Sequence, residues 1–317
     1  MRRRFDREIS GMAAEDALGN HPCRGVRPAS RCTRSADKET LQAENRMRVC
    51  LTRIIYCRCP ASLLLGILLI SQSAPFATAA PAASRGADEI RVLLVTGMDH
   101  PAHDWRRTTP ALKEVLAQDR RLRVEVLEDP YRLDSQDLSR FHVVLLHFCN
   151  WERPDPNDKA KENLRSFVQR GGGLFLLHFA SGAFRDWPEF PTLAGKVWDR
   201  KNSHDPRGPF RVSILEANHP VTRGVGSFDT DDELYTCLTG NVSVEVLASA
   251  RSKVTQQDHP MAFVHRYGAG RVFHTPLGHD ERAIRSAGTS ELIRRGCAWA
   301  AGREAVQPGK IDQGLVR

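Results

Sequence analysis

The chain lacks most of the short motifs that classify a protein on sight. Its 317 residues include eight cysteines, but Cys23, Cys32, Cys50, Cys57 and Cys59 all precede residue 80. Only Cys149, Cys237 and Cys297 follow, and three thiols do not make a disulfide framework. Their apolar neighbours point to buried thiols instead. A segment of 238 residues also buries enough surface to fold without covalent staples. After residue 80 there is no H-E-x-x-H and no C-x-x-C, so no compact motif announces a metal. The G-x-S-x-G elbow of serine hydrolases is missing as well, since Ser181 stands in Phe179-Ala180-Ser181-Gly182-Ala183. No internal repeat and no Gly/Pro/Ser-rich linker divides the chain. An excess of charge is absent from the same region. Residues 1–79 hold 13 basic and 7 acidic side chains, leaving 33 and 31 for the rest, a net of only +2. The basic balance of the whole chain is thus no argument for nucleic-acid binding, which needs basic residues clustered on the domain itself, and no nucleic-acid partner is expected.

The longest apolar run, Ala61 to Ile70, is about ten residues, against the about 20 a membrane-spanning helix needs. It follows Arg48, Arg53 and Arg58 and leads to Ala77-Thr78-Ala79, a small-residue cleavage pattern. Residues 47–79 therefore read as a secretory signal. The expected product is exported to the periplasm or the exterior and free of the membrane after cleavage. Residues 1–46 are polar, Arg-rich and aperiodic, with no packed structure expected, and translation is expected to begin at Met47. Residues 80–89 read as a short linker, 90–302 as a single domain and 303–317 as a loose tail.

Strand and helix patterns alternate from Ile90. Continuous apolar runs at Ile90–Val95, Val143–His147 and Gly173–Leu177 predict buried strands, and Leu122–Leu127 alternates as another. Trp105–Gln118 and Lys159–Arg170 have helical spacing, the second with Asn157 or Asp158 to cap its start and Gly171 its end. Such an alternation means a mostly parallel sheet covered on both faces, an α/β fold. A long Trp-, Pro- and Asp-rich excursion follows from Phe184 to Gly208. The spacing then predicts strands at Phe210–Leu215, Leu234–Leu238 and Val242–Leu247, and a hairpin of Met261–Tyr267 and Arg271–Thr275 about Gly268-Ala269-Gly270. A closing helix is expected at Ser290–Ala301.

Histidines mark the candidate site. His100 and His103 follow the first strand, His178 ends the fourth, and His279 follows the last. In a doubly wound sheet those strand ends share one edge, so distant positions converge there. Asp232 and Glu233 join them. Two chemistries fit: acid–base work by His178 and His279 oriented by Asp232 or Glu233, or a divalent metal held by His and Asp/Glu. His100, His103, Asn150, Ser181, Trp187, His204 and Tyr235 are the expected substrate-binding residues. Trp187, with Trp198, would form a wall for a sugar ring, so a small carbohydrate is the expected partner. Cys149 is expected to pack, and His259 and His265 to be solvated.

Together these segments resemble the ThuA-like family, named for trehalose utilisation. The resemblance rests on Val92-Leu93-Leu94-Val95-Thr96-Gly97 with His100, Gly171-Gly172-Gly173-Leu174 leading to Leu177-His178, His219-Pro220-Val221-Thr222, Asp232-Glu233-Leu234-Tyr235, and Gly270-Arg271-Val272-Phe273-His274 leading to Leu277-Gly278-His279. It implies a flavodoxin-like three-layer α/β/α sandwich of the class I glutamine amidotransferase-like kind. The elbow that carries a cysteine in amidotransferases here reads Leu176-Leu177-His178-Phe179-Ala180, without the sulfur or its glycines, which argues against glutaminase chemistry. His279 falls where the amidotransferase histidine is expected. The family's association with sugar catabolism, including 3-keto sugars, implies proton removal beside a sugar carbonyl.

Overall fold

The computed structural model describes residues 88–199 and 203–304. The expected signal at 47–79, the segment before it, most of the linker and most of the tail lie outside the described residues. Among those described, no helix is long and apolar enough to cross a membrane.

Five parallel strands make the centre. β1 (Ile90–Val95), β2 (Leu122–Leu127), β3 (Val143–Leu146), β4 (Gly173–Leu177) and β11 (Gly270–Thr275) lie in the order β2-β1-β3-β4-β11. That is the 2-1-3-4-5 order of flavodoxin-like sheets. Antiparallel β10 (Asp258–Tyr267), β9 (Glu245–Arg251), β6 (Gly208–Ile214) and β7 (Phe228–Asp232) extend it to nine strands. The short strands β5 (Val197–Trp198) and β8 (Leu238–Thr239) pair separately.

The pleat explains the two cores. Val92 and Leu94 of β1 face helices α1 (Trp105–Ala117) and α5 (Ala287–Ala300), through Leu112, Val115, Leu292 and Ile293. Leu93 and Val95 face α2 (Asp158–Gln169) through Ala160, Leu164, Phe167 and Val168. Both faces of β3 and β4, and of β1 beyond Arg91, are therefore buried, which is why these strands read as apolar runs, whereas β2 at the edge alternates. Two shorter helices, α3 (Phe190–Ala194) and α4 (Glu281–Arg285), complete the layers. Asn157 caps α2, its carboxamide oxygen accepting from the Ala160 N–H. After β1 the chain turns at Gly97, with φ +104°, where an added Cβ would lie 1.8 Å from the Glu128 carbonyl oxygen. Only glycine fits that turn.

Several expectations need correction. Leu234–Leu238 is not a strand of the main sheet. The backbone there pairs with the excursion, Asp205 N–H to the Leu234 carbonyl and Thr236 N–H to that of Ser203, while Leu234, Tyr235 and Cys237 bury their side chains. The apolar run is real, but it packs a loop rather than a strand. The strand expected at Val242–Leu247 is displaced to Glu245–Arg251, and the closing helix begins at Ala287. His265 is buried rather than solvated, its Nε2 3.1 Å from the Leu193 carbonyl oxygen. Cys149 packs in the interior with its thiol on the Gly182 carbonyl.

Candidate functional site

The carboxyl ends of β1, β4 and β11 release His100 and His103, His178, and His279 along one edge of the sheet. From the antiparallel side, the end of β7 delivers Asp232 and Glu233 to the same place.

His178 opens a 3-10 turn, His178–Gly182, with φ +50°. A non-glycine residue in the left-handed region costs about 1–3 kcal/mol and persists only where its surroundings enforce it. Here the enforcement is visible. The ring is fully buried, its Nδ1 lies 2.6 Å from the Pro276 carbonyl oxygen, and the Ser181 hydroxyl donates to the His178 carbonyl. A carbonyl only accepts, so Nδ1 carries a proton and Nε2 is the ring atom turned to the centre. That atom stands 3.0 Å from the Tyr235 hydroxyl and 3.5 Å from Glu233 Oε2.

Glu233 gathers the imidazoles. Its carboxylate is 3.1 Å from His279 Nδ1 and 3.8 Å from His204 Nε2, besides the contact to His178. Burial alone would push this carboxyl up. The hydrogen bonds and charges of His178 and His279 overcome burial and hold it far below the usual carboxylate range. The reciprocal effect acts on His279, where burial opposes the charged ring but Glu233 raises its pKa above the ordinary value.

His103 is buried, and its Nδ1 has no hydrogen-bond partner. Its ring stands 4.9 Å from that of His178 and 4.8 Å from that of His279, and it stacks on Phe179 at 4.5 Å. Burial, and then the nearby His178, keeps it neutral. Next to it, burial brings His100 down to about 4. His100 Nδ1 accepts from the Ala102 N–H, so its Nε2 bears the hydrogen. One donor atom each from His103, His178, Glu233 and His279 lies within 4.8 Å of every other. The rings of His178 and His279 are 5.4 Å apart.

A family model described as ThuA, trehalose utilisation, matches residues 91–300, a span that contains every residue just named. This chain belongs to the ThuA family. A ThuA-like protein of Parabacteroides merdae is 25% identical and superimposes with a TM-score of 0.63 over 70% of this chain and 94% of that one. A ThuA-like protein of Bacteroides uniformis gives 19% identity and a TM-score of 0.57, over 71% and 96%. A cytoplasmic protein of Salmonella typhimurium LT2 shares the fold at 10% identity and a TM-score of 0.50, over 67% and 99%. No curated protein matches the chain at a significant level.

The remaining residues expected at the site of this ThuA protein divide into three groups. Asp232 does not face the centre but holds it in place. Its fully buried carboxylate accepts the backbone N–H groups of Gly278 (2.7 Å), Glu233 (2.9 Å) and His279 (3.1 Å), while burial raises its pKa. His204, Tyr235 and Trp198 form the second group, at the rim. His204 is half-buried, its Nδ1 on the Asp205 carbonyl and its Nε2 toward Glu233. Trp198 meets the Tyr235 ring edge-on at 4.6 Å.

Asn150, Ser181 and Trp187 make up the third group and stand apart from the cluster. Asn150 donates to the Arg153 carbonyl and Asp155 and accepts from the Phe184 N–H, which exhausts its amide. Ser181 is spent on the His178 turn, and Trp187 packs against Phe184 and Phe190 in the core. Sequence reasoning missed Trp151, a 40% exposed ring 4.9 Å from that of His100. Its position just past the end of β3 was the available signal. A shallow groove of about 470 Å³ runs beside α1, lined by Trp105, Pro110, Lys113 and Glu128, and none of the histidine cluster lines it.

Proposed function

We propose that this protein is an enzyme of carbohydrate catabolism that moves a proton beside a sugar carbonyl, with Glu233 and the imidazoles around it as the reacting centre. One observation carries the reading. Among the described residues, all three ion-pair partners of Glu233 within 4.0 Å are imidazoles, at 3.1, 3.5 and 3.8 Å. A structural carboxylate is ordinarily paired with Arg or Lys, whereas a carboxylate set among histidines serves proton transfer or metal binding. The family's description, trehalose utilisation, supplies the substrate class.

The parts have separate tasks. His204 has its Nδ1–H on the Asp205 carbonyl and its Nε2 lone pair at the rim, which suits it to take the proton. His100, neutral with Nε2–H, donates a hydrogen bond to the carbonyl oxygen. His279, which Glu233 holds toward its charged form, stabilises the negative charge that develops on the enediolate, with the buried His178 beside it. Trp151 and Trp198 offer their faces to the sugar ring. The mature enzyme begins after Ala79 and works outside the cytoplasm, and amino-terminal sequencing of the exported protein tests that part.

The test is exchange of solvent deuterium into the carbon beside the carbonyl of 3-keto disaccharides, followed by NMR. Exchange is expected with the wild-type protein. His204→Ala should lower its rate about a hundredfold or more, and His178→Ala or His279→Ala should abolish it. Saturable sugar binding without exchange overturns the reading in favour of a binding module. The four converging donors favour one further reading, a metal-dependent hydrolase, which would cleave the disaccharide without placing deuterium on that carbon.

A further inference from the structure

We infer that His103, His178, His279 and Glu233 form a binding site for one divalent cation of the zinc, manganese and iron class. Three imidazoles and one carboxylate are borderline-soft and hard donors in the proportion such cations accept, and imidazole disfavours calcium and magnesium.

The geometry is close to closed. In a tetrahedral site, ligand bonds of about 2.1 Å put donors about 3.4 Å apart. The four donor atoms already lie within 4.8 Å of one another, so the widest pair need close by no more than about 1.4 Å, which small side-chain rotations supply. His178 is set up as a metal-ligating imidazole: its Nδ1–H is held by the Pro276 carbonyl and its Nε2 faces the cluster. Asp232 fixes the backbone of both Glu233 and His279 from behind. His103 supplies the independent observation. It is buried with Nδ1 unpartnered, and its ring stands beside those of both His178 and His279. A buried polar atom without a partner costs about 1–3 kcal/mol. A ligand that draws this ring into the cluster would offset that cost. A cation bound in place of protons on these rings balances the Glu233 carboxylate.

His204 stands outside the four-donor set and keeps its lone pair, so a bound cation would leave the proton acceptor free and supply the charge stabilisation at the carbonyl. That role rests on the function proposed above, whereas cation binding does not require a sugar.

The experiment is a titration of the full chain, chelated and then dialysed, with Zn2+ followed by calorimetry and with Co2+ followed by its visible spectrum. One equivalent is expected, in a nitrogen–oxygen environment without the sulfur charge-transfer bands that leader cysteines would give. His178→Ala, His103→Ala and Glu233→Gln should each weaken binding about a hundredfold or more, with circular dichroism confirming that they fold. His219→Ala, against Trp299 and outside the cluster, should bind as wild type. Less than about a tenth of an equivalent overturns the inference, as does equal affinity in wild type and His178→Ala. Proton exchange on a keto sugar by a protein that takes up less than about a tenth of an equivalent would sink the cation and leave the function standing. One bound equivalent without exchange on any sugar would do the reverse.

Discussion

Replacing Asp232 by asparagine tests whether the centre is held from behind. The carboxylate accepts three backbone N–H groups, one oxygen taking those of Glu233 and His279 and the other that of Gly278. Asparagine keeps one accepting oxygen and puts an NH2 group where the other stood. In its better orientation the amide retains the pair from Glu233 and His279 and turns a donor toward the Gly278 N–H. One charge-assisted hydrogen bond, worth about 1.5–3 kcal/mol, is lost, and a buried N–H is left bare. Against this, the buried charge disappears, and its desolvation had been unfavourable enough to raise the Asp232 pKa. The balance is a loss of about 1–3 kcal/mol in stability. The larger consequence falls on the site, because the 278–279 backbone then recoils from its own anchor. A supporting residue of this kind typically changes affinity or rate by 10- to 100-fold. Urea unfolding at neutral pH reads the first quantity, and zinc titration together with exchange kinetics reads the second. An Asp232→Asn protein with the midpoint, affinity and rate of the wild type would refute the proposed anchoring.

Two other perturbations follow from the same coordinates. His147 and His274 are fully buried, and burial lowers each to about 3 from an ordinary 6.5. Above pH 6.5 both are neutral in the folded and unfolded states alike. As the pH falls through 6.5 the unfolded chain takes up protons first, so stability is lost progressively down to about pH 3. At pH 5 this amounts to about 2 kcal/mol for each residue. The urea midpoint should therefore drop clearly between pH 7 and pH 5, and a flat midpoint contradicts the burial. Trp151→Ala should raise KM for a sugar substrate about tenfold while leaving the thermal midpoint within a degree or two. An unchanged KM removes Trp151 from the binding surface.

The central sheet was legible because its physics is local. Val143–Leu146 and Gly173–Leu177 are apolar at every position and Ile90–Val95 at every position but Arg91, as strands covered on both faces must be, and capped helices separate them. Their order then places His178 and His279 on one edge, so the meeting of residues a hundred positions apart was readable from topology alone. The Leu234–Leu238 segment was not readable, because an apolar run states that side chains are buried but not what the backbone pairs with. His265 and Trp187 misled for a related reason: each borders a polar or irregular stretch, yet packs inward through a partner distant in sequence. Asn150 and Ser181 were chemically plausible ligands for a sugar. Only coordinates show that short-range backbone groups consume their hydrogen bonds. His103 shows the opposite limit. Nothing in Ala102-His103-Asp104 sets it apart from a loop residue, and its place inside the donor cluster comes from the path of the loop after Gly97.

The left-handed backbone at position 178 sets robustness against use. Glycine would occupy that torsion without penalty, while alanine would keep the penalty and lose the ring. Relief of the torsion would thus cost the imidazole beneath which the centre is assembled, together with its packing on Tyr235 and its bond to the Pro276 carbonyl. The strained backbone is tethered by the ring that it carries, so neither can be exchanged without the other.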